Sequence, residues 1–195
     1  MTTRDWKNRT KDITALNLSE ENLSDESAAF LAKSDEKFGF VPNIFKAYSF
    51  ENSKLMGFLG FWAAMVRDEV ALSDLQKEMI AVVVSSQNRC YYCLTSHGAA
   101  LRALSSDPEL AEALVMNFRA AKIDKQTRAM LNFAVRLTTS PAEIVEDDRQ
   151  SLRDAGFGDR EIFAIATIAA HYNMTNRAAV ALDLRPNTEY IGMAR

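Results

Sequence analysis

The chain has 195 residues, 48% of them hydrophobic, enough to bury the core of one domain. Its 23 basic and 26 acidic residues leave a formal charge of −3, without the basic excess a phosphate-backbone footprint requires, so no nucleic-acid partner is expected. The polar start Met1 to Lys7 lacks the apolar stretch of a secretory signal, and the runs Ile80–Val84 and Ile162–Ala170 fall far short of the roughly 20 residues that cross a bilayer. These features predict a soluble cytoplasmic protein with no membrane partner.

Residues 1–24 read as an N-terminal extension to a single all-helical domain. Ser24-Asp25-Glu26-Ser27 opens a helix through Lys37, which Gly39-Phe40-Val41-Pro42-Asn43 breaks and a loop follows. Phe50 to Val66 carries Leu55, Phe58, Leu59 and Trp62 at the spacing of one buried helical stripe. Ser73-Asp74-Leu75-Gln76 fits a capping box for a helix to about Gln87. Asn88 is a break, and Cys90 to Leu104 forms the next helix, ended near Ser105-Ser106. Asp107-Pro108-Glu109 starts another, with Asp as cap and Pro in the first turn. Asp124 caps a helix through Thr139, and Ser140-Pro141-Ala142-Glu143 reads as a capping box for a helix that stops at Gly156. Gly158-Asp159 opens the last long helix, to about Leu182, with Pro186 beyond.

An internal echo refines this order. Asp74 to Ala81 resembles Asp159 to Ala166, and His97-Gly98-Ala99-Ala100 resembles Asn176-Arg177-Ala178-Ala179, so segments 73–104 and 159–182 read as two degenerate copies of one helical hairpin. The second copy has Phe163 where the first has Glu78 and has no cysteine, so only the first carries candidate chemistry.

That chemistry is concentrated in Cys90-Tyr91-Tyr92-Cys93-Leu94-Thr95-Ser96-His97. The two cysteines stand three positions apart, and a disulfide between them closes a tiny loop that staples nothing distant. In a reducing cytosol such a pair points to catalysis or metal binding. On a helix both thiols and the imidazole share one narrow face, and Cys90 in the first turn meets the positive end of the helix dipole, which favours thiolate. His97 follows Cys93 by one turn and can accept its proton. Glu78, on the preceding helix, flanks a stripe of Leu75, Met79 and Val82, where an unpaired carboxylate is costly.

Together with Gly39-Phe40-Val41-Pro42-Asn43 and Asn173-Met174-Thr175-Asn176-Arg177, these residues resemble the alkylhydroperoxidase D and carboxymuconolactone decarboxylase superfamily, and within it the uncharacterised peroxidase-related proteins. The core match spans about residues 40 to 185. The resemblance implies that Cys93 attacks a peroxide and Cys90 closes the disulfide, with His97 and Glu78 as the proton relay. It also implies a dithiol reductant that restores the pair, no metal or flavin cofactor, and a homo-oligomeric dimer, trimer or hexamer. One departure is Tyr92, where the mycobacterial type of enzyme has His before the second cysteine.

Four other readings compete. A zinc site drawn from Cys90, Cys93, His97 and His171 has the right donor set, but structural zinc usually takes C-x-x-C from a tight knuckle. A general thiol-disulfide oxidoreductase fits the cysteines without the βαβ pattern of thioredoxins. Decarboxylase members of the superfamily lack the cysteine pair. A non-catalytic scaffold treats both cysteines as small buried hydrophobes.

Overall fold

A computed structural model of the chain describes residues 7–195, so the reading of the terminus from Met1 onward lies mostly outside them. Among the described residues there are ten α-helices and no strand. They are α1 (Asp25–Phe38), α2 (Asn43–Tyr48), α3 (Asn52–Trp62), α4 (Asp74–Gln87), α5 (Tyr91–Ser105), α6 (Pro108–Asn117), α7 (Lys125–Thr139), α8 (Glu146–Asp154), α9 (Asp159–Ala181) and α10 (Glu189–Gly192). No described helix is long and apolar enough to cross a membrane.

Local chemistry sets most helix starts. The Ser24 hydroxyl accepts from the Ser27 N–H, Ser73 and Gln76 form the reciprocal capping box, and Asp107 and Asp124 each cap the N–H three residues on. Gly39 ends α1 in the left-handed region (φ 77°), where a side chain is strained, and its N–H returns to the Asp35 carbonyl.

The centre of the bundle is α4. Ile80, Ala81, Val82, Val83 and Val84 have no exposed surface, because α5, α6, α7 and α9 pack around all sides of this turn and a half. An apolar run without alternation is therefore a helix buried all round, each large side chain contributing about 1.5–3 kcal/mol by leaving water.

Four expectations are corrected. The segment after Pro42 is the short helix α2, and α3 ends at Trp62 in a π-helical turn, Ala63–Arg67. Ser140 caps no α-helix with its side chain; Pro141–Glu143 is a 3-10 turn, and α8 starts later, where the Asp148 carboxylate accepts the Val145 N–H at 2.9 Å. Three acids in its first turn, Glu146, Asp147 and Asp148, favour that start through the helix dipole. Finally, segment 159–182 is not a hairpin: α9 is one unbroken helix of 23 residues, because it has no equivalent of the turn between α4 and α5.

The described part of the N-terminal extension is tied down. The buried Arg9 guanidinium donates to the Ser49 carbonyl and hydroxyl and to the Glu21 carbonyl, while the Ala15 N–H reaches Leu182 O at 2.8 Å and the Arg185 N–H reaches Ile13 O at 2.8 Å. Ile13 thereby packs on a small cluster that contains Cys90, Tyr92, Cys93, Ala47, Ala179 and Leu184.

Candidate active site

The turn between α4 and α5 decides where the sulfurs sit. The Asn88 N–H returns to Val84 O and the Cys90 N–H to Ser85 O, both at 3.1 Å, with Arg89 in the left-handed region (φ 52°). For a residue other than glycine that conformation costs roughly 1–2 kcal/mol. Cys90 lies one position outside the helix, as its N-cap, rather than in the first turn, and its sulfur accepts the Cys93 N–H at 3.3 Å. Both cysteines are free thiols and buried, 1% and 3% exposed.

The pair titrates as a unit. The Cys90 thiol is lowered by a hydrogen bond from the Cys93 thiol, by the Cys93 N–H and by the charge of His97, all acting against burial. The Cys93 thiol is raised by its hydrogen bond to Cys90, by burial and by the charge on Cys90. Hydrogen bonding between the two thiols lowers the one and raises the other, while burial opposes charge on both.

The imidazole and carboxylate are brought together by the hairpin. His97 Nδ1 lies 2.8 Å from Glu78 Oε2, and the two side chains are 24% and 21% exposed. With an ionised carboxylate as acceptor, Nδ1 carries the proton and the Nε2 lone pair is left to take another. The His97 ring stands edge-on to Tyr172, centroids 4.8 Å apart. Burial opposes protonation of His97, but the charge and hydrogen bond of Glu78 and the charge on Cys90 outweigh it, so its pKa is raised. The charge of His97 acts on Cys90, the sulfur expected to be the partner of the attacking one.

His171 does not join the cysteines. Its ring is buried against Phe61 and Phe58, with centroids at 5.6 and 6.2 Å, and edge-on to Tyr172, and burial followed by repulsion from His97 pushes its pKa down to about 4. Among the described residues no three His, Cys, Asp or Glu side chains gather closely enough to hold a metal ion.

Tyr92 has a defined structural use. Its phenol, buried at 5% exposure, accepts the Ile44 N–H at 3.0 Å, while Asn187 Oδ1 accepts the Asn43 N–H at 2.7 Å and Asn43 Nδ2 donates to Arg185 O. The first turn of α2, which has no cap of its own, is thus capped by side chains remote in sequence. We expect Tyr92→Phe to lose about 1–3 kcal/mol, the cost of a buried N–H without an acceptor, read as a lower midpoint in chemical denaturation.

Three residues close the back of the site, and motif reading passed over two of them. Ser85 and Asn176 have no exposed surface, and the Ser85 carbonyl accepts the Cys90 N–H at 3.1 Å. Asn176 Nδ2 also donates to Ser85 Oγ at 3.0 Å, and Asn88 Nδ2 donates to Asn176 Oδ1 and Asn173 Oδ1, each at 3.0 Å. Asn176 was legible only as a member of the Asn173–Arg177 motif and as the position that echoes His97.

Comparison with known proteins places this geometry. Residues 56–118, which contain Glu78, Cys90, Cys93 and His97, match the carboxymuconolactone decarboxylase family model. An uncharacterised peroxidase-related protein from Silicibacter sp. TM1040 is 49% identical, with a TM-score of 0.91 over 95% of this chain and 97% of that one. A structure described as an alkylhydroperoxidase AhpD core, an uncharacterised peroxidase-related protein from Ralstonia eutropha JMP134, is 34% identical, with a TM-score of 0.85 over 89% and 91%. The debrominase Bmp8, 19% identical over 92% of this chain and 97% of that one, shares the fold at a TM-score of 0.76. Curated protein sequences give no match. With half its residues shared over nearly its full length with one such protein, this chain belongs to the alkylhydroperoxidase D-like and carboxymuconolactone decarboxylase superfamily, among its peroxidase-related members.

Proposed function

We propose that this protein is a thiol-dependent peroxidase that reduces hydrogen peroxide or an alkyl hydroperoxide through Cys90 and Cys93, with His97 and Glu78 handling protons. The observation that carries the reading is the joining of these groups in one helical hairpin: His97, on the helix whose N-terminus holds two buried free cysteines, meets Glu78 at 2.8 Å.

The chemistry balances without a cofactor. The Cys93 thiolate attacks the nearer peroxide oxygen, the O–O bond breaks, and sulfur is oxidised to sulfenic acid while the peroxide is reduced to alcohol or water. The proton that Cys93 gives up passes to Cys90 or His97 and serves the leaving oxygen, with Glu78 holding the imidazole in the tautomer that accepts at Nε2. The Cys90 sulfur then attacks the sulfenic sulfur and closes the disulfide, and the departing hydroxide leaves as water with a proton taken from His97 or solvent. An external dithiol restores both thiols by exchange and leaves as its own disulfide.

In this scheme Cys90 is both a proton acceptor for Cys93 and the later resolving thiol. A reducing cytosol suits the pair, and a homo-oligomer suits the exposed Phe163 and Met174 on one side of α9.

Free-thiol titration tests the reading at its base. Two thiols per chain are expected after reduction and none after brief treatment with a small excess of peroxide, with both restored by a dithiol. Survival of both thiols in excess peroxide overturns it.

A further inference from the structure

Exchange with a dithiol needs a sulfur that an incoming thiolate can reach, yet Cys90 and Cys93 are 1% and 3% exposed. Part of their cover must move aside. The cluster that holds them is completed by Ile44 and Ala47 from α2, by Ala179 and Leu184 from the end of α9 and the turn after it, and by Ile13 from the chain ahead of α1.

These covers are held unequally. The start of α2 is capped by Asn187 and Tyr92, and Ala179 lies within a helix of 23 residues. Ile13 lies on a loop, residues 10–20, whose two ends are pinned together. Glu20 Oε1 accepts the Thr10 N–H at 2.7 Å and the Thr10 hydroxyl at 2.8 Å. Glu20 Oε2 lies 3.3 Å from Arg9 Nη1, and the Glu21 carbonyl accepts from Arg9 Nη2 at 2.9 Å. Such a closed neck defines an Ω-loop, whose body can swing while its ends stay fixed. The tip is held by the half-buried side chain of Ile13 and by two main-chain bonds, Ala15 N–H to Leu182 O and Arg185 N–H to Ile13 O, each at 2.8 Å. Lys11, Asp12, Ala15, Leu16 and Asn17 are exposed. An open cleft of about 520 Å³ is lined, among the described residues, by residues within 7–22 alone, so the body of the loop leaves little core when it lifts.

Resting on the peroxidase reading, we infer that residues 10–20 are a lid on the cysteine pair: closed, the lid shuts the cluster against bulky thiols, and open, it admits the dithiol that restores the pair. Hydrogen peroxide is far smaller than any dithiol, so the lid acts on the reductive half of the cycle. With the lid open, a donor thiolate attacks one sulfur of the disulfide and releases the other as thiolate. The donor's second thiolate then breaks the mixed disulfide, so both cysteines end reduced, carrying the two protons the donor gave up, and the donor leaves as its own disulfide.

The test reads access to sulfur without peroxide. The pair is oxidised with diamide and its reduction by dithiothreitol is timed; the reduced chain is timed with a bulky aromatic disulfide, dithiobis-nitrobenzoate. Ile13→Ala is expected to speed both reactions about tenfold, the scale of removing half-buried methyl groups from an apolar contact. Ala15→Pro, at an exposed position, removes the N–H that meets Leu182 O and is expected to speed both several-fold. It carries the test if Ile13→Ala melts far below its parent. In the parent, both rates are expected to change little in urea well below the unfolding midpoint, since lifting a lid exposes little surface, whereas access by global unfolding climbs steeply. Parental rates in a folded Ile13→Ala and in Ala15→Pro, or parental rates that climb with the slope of global unfolding, overturn the lid. Counting thiols in the parent before and after peroxide tests the underlying reading separately. Faster exchange in the variants with thiols that survive peroxide keeps the lid and removes the peroxidase, whereas thiols lost to peroxide with unmoved exchange rates do the reverse.

Discussion

Replacing Cys93 by serine is expected to abolish peroxide reduction, and replacing Cys90 by serine to allow one round of oxidation that stops at sulfenic acid. The two outcomes differ because the cysteines occupy different positions. Cys90 caps the helix from outside it, whereas Cys93 sits within its first turn. A serine at 93 lacks a nucleophile of comparable strength, so nothing breaks the O–O bond. A serine at 90 cannot close a disulfide, so the oxidised sulfur persists long enough to be trapped. The measurement is peroxide consumption with a dithiol donor, followed by mass spectrometry of the trapped chain. Sulfenic acid found only at Cys90 in the Cys93→Ser chain, with none at Cys93 in its counterpart, reverses the roles.

Glu78→Gln is expected to slow oxidation of the reduced chain by roughly 10²-fold or more, the usual scale of one acid-base contribution. Glutamine keeps the size of the side chain and can still accept from Nδ1, but it removes the negative charge that holds the imidazole in its basic tautomer. The pH dependence follows from the raised pKa of His97. If the imidazole acts as a base it must be neutral, so the rate of the natural chain climbs as pH rises through that raised value, and the climb moves to lower pH in the glutamine chain. Stability follows the same group with the sign worked through. A pKa raised by folding contributes stability that is fully present below the unfolded value of about 6.5 and is lost as pH rises through the folded one. The glutamine chain therefore melts lower than its parent only in mildly acid solution, and the two melts converge above the folded pKa, where removing a partly buried carboxylate costs little. Single-turnover oxidation across pH, beside thermal melts at two pH values, checks both halves. A variant that melts many degrees lower in alkaline solution yet oxidises at the parental rate makes Glu78 structural.

Tyr92 illustrates how a departure from a family pattern acquires a physical meaning. Read as sequence, a tyrosine where a related enzyme has histidine threatens the proton relay. In the fold its phenol faces the Ile44 N–H and ties α2 to the cysteine helix, so it contributes to placing the pair rather than to moving protons.

What the sequence by itself determined are the features that depend on neighbours within a few residues. The helix starts at Ser24, Ser73, Asp107 and Asp124 follow from caps that meet N–H groups in the next turn, and α4 is a helix because Ser73 and Gln76 open it and nothing interrupts its apolar run. The spacing of Cys90, Cys93 and His97 gathered the candidate residues at the start of one helix for the same reason. The short helix α2 was not legible, since its first N–H groups are met by Asn187 and Tyr92, well over a hundred and nearly fifty positions away in the chain. The long helix α9 was legible from Gly158-Asp159 onward, and the resemblance to 73–104 misled only in suggesting a hairpin, since the turn itself is missing. Glu78 was visible as a carboxylate in an awkward place, but its 2.8 Å bond to His97 exists only because the α4–α5 turn folds one helix back on the other. The buried bonds among Ser85, Asn88 and Asn176 lay furthest from the sequence, because hydrogen bonds between side chains on separate helices have no spacing rule to betray them until the helices are packed.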